Sequence, residues 1–273
     1  MKNLKYKLVT SDLDATIVSH SQKESPKNKV AIQKVRNMGV NFVISSGRNQ
    51  FSIKPFEEKY GLNEKGCYGI AFNGGVVYEA DTGKILRDIR LDKNVALDII
   101  KELKTMTVAT WVFVGNDLYL TEFTEWAQRY SHTIDKYIEI EDLAKIEGEI
   151  SKVIVSDERH ILEGVQSHFN KKDSPFYTTV FSAENLLEFV PPTVNKGEGL
   201  KFLANHLGID LSETIAIGDN FNDIEMIRMA GIGVAVANGR KEVKVIADYV
   251  TENPCEDGAV AEALSKFIIN DLK

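Results

Sequence analysis

The two ends of this chain alternate between strand and helix signals, and its middle does not. Residues 6–11 form an apolar, β-favouring run. A loop then leads to a helix opening at Ser25-Pro26, with Ser in the N-cap position and Pro at the first helical position. Ala31, Val35 and Met38 give this helix an apolar stripe, and Gly39 ends it. Residues 40–44 read as a second strand, 50–60 as a helix and 68–72 as a third strand closing on Asn73-Gly74-Gly75. This order predicts a parallel sheet with right-handed crossovers, because parallel neighbours need a long connection between them.

From residue 76 the pattern changes. Asp81-Thr82-Gly83 and Gly115-Asn116-Asp117 are hairpin signals between short apolar runs. Helices are predicted at 92–106 and 158–169, and strands at 153–155, 178–181 and 186–190. Hairpins mixed with helices predict an α+β unit with an antiparallel sheet. Pro191-Pro192 then punctuates the chain, and the alternation returns with a helix at 196–207 and strands at 214–217, 233–236 and 249–250. A final helix starts near Asp257. The fold class expected is α/β: a doubly wound, mainly parallel, Rossmann-like core with an inserted α+β cap. Residues 1–86 and 189–273 form the two parts of the core and 87–188 the cap, which would select the substrate.

A length of 273 residues suits one large domain or two modest ones. Apolar residues make up 43% and charged residues 27%, ordinary for a soluble globular protein. No apolar run approaches the roughly 20 residues that span a bilayer. Met1 to Lys5 lead into the first strand without a signal-peptide core, so the expected location is cytoplasmic. Cys67 and Cys255 lie far apart with no C-x-x-C, which indicates neither a disulfide framework nor a zinc knuckle. The histidines include no H-E-x-x-H. A net charge of −7 with no Lys/Arg block argues against nucleic acid and anionic membrane as partners. It leaves an anionic small molecule open, because local charge decides binding in a pocket. A monomer or weak homodimer is expected. No G-x-G-x-x-G follows the first strand, which disfavours a nucleotide-binding dehydrogenase.

Four loops fall at the carboxyl ends of predicted strands or on the approach to the next helix: 12–16, 45–48, 191–196 and 218–223. Ligands bind at that rim of an open α/β sheet. Pooled, the loops offer Asp12, Asp14, Asp219 and Asp223, with Ser46, Arg48 and Lys196 beside them. Each has a plain alternative: turn chemistry for the Asp12/Asp14 pair and Ser46, an N-cap for Asp219 and a first-turn acid for Asp223. Lys196 at a helix start runs against the macrodipole preference. Together, four carboxylates would repel strongly without compensating cations. A hard divalent metal resolves this, and all-oxygen ligands favour Mg2+. Ser46 adds a hydroxyl donor for a phosphoryl oxygen and Lys196 a positive charge.

Asp12-x-Asp14-x-Thr16, Ser46, Lys196 and Gly218-Asp219-x-x-Asn222-Asp223 resemble, in order, the four motifs of the haloacid dehalogenase superfamily. The insertion between the second and third motifs is similar to the cap of its Cof-type phosphatases, as are Ser46-Gly47-Arg48, Asn73-Gly74-Gly75 and Asn195-Lys196-Gly197. The resemblance implies a Mg2+-dependent phosphatase of small phosphomonoesters, such as sugar phosphates. It makes Asp12 the nucleophile that becomes an aspartyl phosphate, and Asp14 the acid for the leaving alkoxide and then the base for water. It puts Mg2+ on Asp12, Asp219 and the backbone carbonyl of Asp14, with Asp223 as a ligand or a support. Ser46 and Lys196 grip the phosphoryl group, with Gly47, Arg48 and Asn222 on the substrate side. Asn73 would lie near the phosphate, and Asn222 and Asn238 would support loops.

A phosphotransferase or mutase would share the covalent step. A non-catalytic binder of phosphometabolites would have lost Asp12, Asp14 or Asp219, and all are present. One departure stands out: the family usually has Gly where this chain has Ala15. Gly permits positive φ, and Ala tolerates it less freely. In the cap, Trp111, Tyr119, Trp126, Arg129, Tyr130 and His132 are candidate substrate contacts.

Overall fold

The computed structural model describes residues 4–19, 21, 23–130 and 137–270. Its first strands are β1 (Leu8–Ser11), β2 (Asn41–Ser45), β3 (Tyr68–Ala71), β4 (Val76–Glu79) and β5 (Ile85–Asp88). Next come β6 (Ala109–Val114), β7 (Asp117–Leu120), β8 (Tyr137–Glu139), β9 (Ile150–Ser156), β10 (Thr178–Ala183) and β11 (Leu186–Val190). The last are β12 (Thr214–Gly218), β13 (Ile232–Ala235) and β14 (Tyr249–Val250). The helices are α1 (Pro26–Asn37), α2 (Gln50–Tyr60), α3 (Lys93–Leu103), α4 (Glu125–Tyr130), α5 (Arg159–Asn170), α6 (Lys196–Leu207), α7 (Ile224–Met229), α8 (Lys241–Ile246) and α9 (Ala259–Leu264).

Two compact units divide the chain at Arg87/Asp88 and Val194/Asn195. The first holds an eight-stranded sheet in the order β14-β13-β12-β1-β2-β3-β4-β5. Its members from β14 to β3 pair in parallel, and β4 runs antiparallel to β3. All residues of β1 and β12 are buried. Strands covered on both faces by helices read as continuous apolar runs, which is why these two were visible in the sequence. Leu8, Val43, Ile70 and Ala216 share one buried cluster with Leu200 and Leu203 of α6. Full burial of a leucine contributes about 1.5–3 kcal/mol, so this cluster fixes α6 firmly to the sheet.

The second unit holds a six-stranded sheet, β10-β11-β9-β6-β7-β8. Its described pairs are antiparallel except β7 with β8. The expected second boundary after residue 188 falls inside β11, whose pairing to β9 and β10 keeps it in this unit. Neither β8 nor α4 was expected; both are short.

One local expectation holds in position and another needs correction. Ser25 holds the N-cap position of α1 but makes no side-chain cap bond. Its buried hydroxyl faces Gly258, where an added Cβ would come within 3.3 Å. Met38 is only half-buried, and Ile32 takes the place expected for it in the core beside Ala31 and Val35.

Candidate active site

Asp12 leaves β1 at the carboxyl edge of the first sheet, flanked by the loops that follow β2 and β12, because β1 pairs with both strands. Its N–H donates to the Ile217 carbonyl at 2.8 Å, so the turn out of β1 is tied to β12 from its first residue. Ser46 follows β2 and donates its backbone N–H to the Ile70 carbonyl at 2.9 Å. Asp219 follows β12.

Lys196 opens α6, and its ammonium is completely buried. Nζ donates to Asp12 Oδ1 at 2.5 Å and to Asp223 Oδ1 at 2.5 Å. A lysine is disfavoured at a helix N-terminus, and here the two carboxylates outweigh that cost. The helix start is fixed by Asn195, whose side chain accepts from the Glu198 N–H at 2.9 Å. Gly74 lies so close to Asn195 that an added Cβ would sit 2.2 Å from its carbonyl oxygen, and Gly74 itself has φ +92°. No other residue combines that conformation with that approach.

Asp223 is saturated. Its Oδ2 accepts from the backbone N–H groups of Asp219 and Asn220, both at 2.9 Å, while Oδ1 faces Lys196. Its carboxyl group lies over Gly218, where an added Cβ would come within 2.5 Å. Thr16 Oγ1 donates to Asp219 Oδ1 at 3.0 Å. Oxygens of Asp12, Asp219 and Asp223 all lie within 4.8 Å of one another. Among the described residues, no hydrogen bond reaches Asp12 Oδ2 or Asp219 Oδ2.

Electrostatics follow from this crowding. Burial pushes the Asp12 carboxyl up to about 7; Lys196 opposes the rise, and the charges of Asp223 and Asp14 add to it. Burial also holds Asp219 well above the usual carboxylate range, reinforced by Asp12 and Asp223. Burial works against charge on Lys196, but Asp12 and Asp223 hold the ammonium above its ordinary value. Three carboxylates thus face one ammonium, so the cluster lacks positive charge. An all-oxygen donor set with unengaged oxygens on Asp12 and Asp219 fits a hard divalent cation such as Mg2+.

Asp14 stands apart from that cluster. Its carboxylate, about one-third exposed at 35%, is held by Arg48 through Nε at 2.9 Å and Nη2 at 2.6 Å. The guanidinium lies over the Phe56 ring, 5.2 Å from its centre. Arg48, expected on the substrate side, therefore engages Asp14. Ser46 is buried, and its Oγ accepts from the Arg48 N–H at 3.2 Å. Gly47 lies beside the Asn73 amide, where an added Cβ would come within 3.2 Å. Asn222 Nδ2 donates to Asn73 Oδ1 at 2.9 Å, joining the loop after β12 to the turn after β3. Asn73 reaches this partner at φ +54°, with its N–H on the Ser46 carbonyl at 3.0 Å.

Ala15 adopts φ +59°, in the left-handed region that glycine enters freely and alanine does not. Its carbonyl accepts from Asn238 Nδ2 at 2.7 Å. Thr16 had no role assigned from the sequence, although its place four residues after Asp12 in the first motif was the available signal.

In the second unit, Trp111 is buried in the sheet opposite Leu120 and Ile154. Tyr119 and Trp126 are half-buried. His132 and the side chains of Arg129 and Tyr130 lie outside the described residues. Among the described residues, no helix is long and apolar enough to cross a membrane.

Comparison with known proteins bears on this geometry. The pattern of the haloacid dehalogenase-like hydrolases matches residues 9–264. A Streptococcus pyogenes protein is 32% identical across 97% of this chain and 99% of its own length. Phosphatase YwpJ of Bacillus subtilis is 28% identical across 92% of this chain and 96% of its own. The crystal structure of a haloacid dehalogenase-like hydrolase from Bacteroides thetaiotaomicron is similar at a TM-score of 0.85 and 26% identity, covering 96% of this chain and 99% of that one.

Proposed function

The chain belongs to the haloacid dehalogenase-like hydrolase family, and on that premise we propose that it is a Mg2+-dependent phosphatase. It hydrolyses small phosphomonoesters, sugar phosphates or related metabolites, through an aspartyl phosphate on Asp12. The observation that carries this reading is the buried cluster of Asp12, Asp219 and Asp223 around a single ammonium, with Asp14 held separately by Arg48. That arrangement supports two carboxylates with different tasks.

Asp12, Asp219 and the backbone carbonyl of Asp14 would hold the metal, with Asp223 fixing the loop behind them. Bound there, Mg2+ supplies the missing positive charge and polarises phosphoryl oxygens. The Asp12 carboxylate attacks phosphorus, and the bond to the leaving alkoxide breaks. Asp14 gives its proton to that alkoxide, a contribution of roughly 10²–10⁴-fold for a positioned acid. Asp14 then takes a proton from water as the water oxygen attacks the same phosphorus. Phosphate leaves and the Asp12 carboxylate is regenerated. Lys196 and the Ser46 hydroxyl stabilise charge on the transferring group. Partial exposure of Asp14 suits a group that meets substrate and water. Choice of leaving group is assigned to the inserted unit, which interrupts the core between Ser46 and Lys196 in sequence.

The test is phosphate release from a panel of phosphomonoesters, with Mg2+ and with chelator. Turnover that stops on chelation and returns with Mg2+ supports the reading. Release that is indifferent to metal overturns it.

A further inference from the structure

Two side-chain amides reach the loop after Asp12, and each is anchored at its other end to the C-terminal segment. Asn238 Nδ2 donates to the Ala15 carbonyl at 2.7 Å, and its Oδ1 accepts from the Cys255 N–H at 2.8 Å. Asn28 Nδ2 donates to the Ile17 carbonyl at 3.2 Å, and its Oδ1 accepts from the Ala261 N–H at 3.0 Å. Asn28 is the third residue of α1 and fully buried, a position that is costly for an amide unless both of its ends are satisfied. Both ends are.

The loop bound in this way carries Asp14 and turns at Ala15, φ +59°. A left-handed alanine persists only where its surroundings over-determine it. On one side Thr16 reaches Asp219, and Ile17 and Val18 donate to the Leu13 carbonyl. On the other, the two amides hold the Ala15 and Ile17 carbonyls to residues 255–261. We propose that Asn28 and Asn238 are positioning residues that seat the Asp14 loop on the C-terminal turn and α9, so that this segment sets the aim of the proton carrier. The inference rests on the phosphatase reading for its kinetic consequence, but the tie itself does not.

The test uses the full chain with Asn238→Ala, Asn238→Asp and Asn28→Ala. Asn238→Asp keeps the acceptor for Cys255 and turns the loop arm from attraction to repulsion. Hydrogen–deuterium exchange is read across residues 13–19. Steady-state kinetics compare the best alkyl phosphate of the panel with p-nitrophenyl phosphate, whose leaving group needs no proton. The expected result is faster exchange in 13–19 and a roughly tenfold lower kcat/KM on the alkyl phosphate, a ratio that reports only the steps through phosphorylation of Asp12, before Asp14 acts as base. Loss on p-nitrophenyl phosphate is smaller, which a general loss of stability would not produce. Asn41→Ala, whose amide donates to the Lys7 carbonyl at the opposite end of β1, leaves exchange and both rates as in the wild type. Equal losses on both substrates, or unchanged exchange in 13–19, overturn the proposal. If the wild-type protein releases no phosphate, the phosphatase reading falls, and exchange alone decides the tie. Should Asn28→Ala not fold, the exposed Asn238 carries the test.

Discussion

The guanidinium of Arg48 grips the Asp14 carboxylate at two points, Nε on Oδ2 at 2.9 Å and Nη2 on Oδ1 at 2.6 Å. Two parallel bonds fix the plane of a carboxylate, whereas a lysine ammonium holds only a point. The Phe56 ring beneath the guanidinium limits its motion further. Arg48→Lys is therefore expected to lower kcat on an alkyl phosphate by roughly tenfold and Arg48→Ala by roughly a hundredfold, with KM changed less. Steady-state kinetics check this. A fully active Arg48→Lys protein would show that the orientation of Asp14 is unimportant.

Lys196 neutralises part of a buried cluster, and its removal leaves Asp12 and Asp223 facing each other unpaired. Breaking a buried pair in this way costs about 3–5 kcal/mol. Lys196→Met keeps the apolar stem and removes the charge. Its urea midpoint should fall sharply in chelator and recover in part with Mg2+, since a ligand of the native state stabilises it by mass action. A variant as stable as wild type in chelator would mean that the ammonium does not compensate the buried carboxylates.

Ala15 holds a left-handed conformation that glycine adopts at no steric cost. Ala15→Gly relieves a strain of about 1–2 kcal/mol but adds freedom to the unfolded chain, which costs about 0.4–1 kcal/mol. The strain is the larger, so a net gain of about 0.5–1 kcal/mol is expected, a rise in Tm of roughly 1–2 °C at this chain length. Thermal unfolding with and without Mg2+ reads it directly. A lower Tm would mean that Ala15 is not strained.

Glu57 on α2 is buried, with Oε1 accepting from the Tyr78 hydroxyl at 2.7 Å. Burial pushes its carboxyl from 4.5 up to about 7, against the opposing effects of Tyr78 and Lys54, while Glu58 adds to the rise. The folded state thus keeps a proton that the unfolded chain releases. Its contribution to stability is full below about 4.5 and is lost as pH rises through about 7. Glu57→Gln is neutral at every pH and keeps an oxygen for Tyr78. The variant should match wild type near pH 4 and exceed it by about 3 kcal/mol near pH 8. Chemical denaturation across that range checks the difference curve, and a flat one would refute the assignment.

Much of the frame was legible because it is local. The apolar runs of β1 and β12, and the acids that follow them, are contiguous in sequence and read the same way in space. Partners across long separations were not. Thr16 with Asp219, and Asn28 with Ala261, are joined only by the topology that returns β12 to β1 and α9 to α1. Asn28 carries no signal in the helix pattern that would mark it as fully buried. Arg48 was visible as a cation beside the site, but nothing in the sequence separates a phosphate partner from a carboxylate partner. The short elements β8 and α4 carry too little periodicity to be seen.

Whether Asp12 carries the phosphoryl group is read most directly by peptide mass spectrometry of protein quenched in acid after mixing with a phosphomonoester and Mg2+. Asp14→Asn, given p-nitrophenyl phosphate so that no acid is needed to form the intermediate, lacks the base that directs water and should accumulate one phosphoryl group on Asp12. Asp12→Asn should show none and release no phosphate. A phosphoryl group on another residue, or undiminished phosphate release by Asp12→Asn, would contradict a covalent role for Asp12.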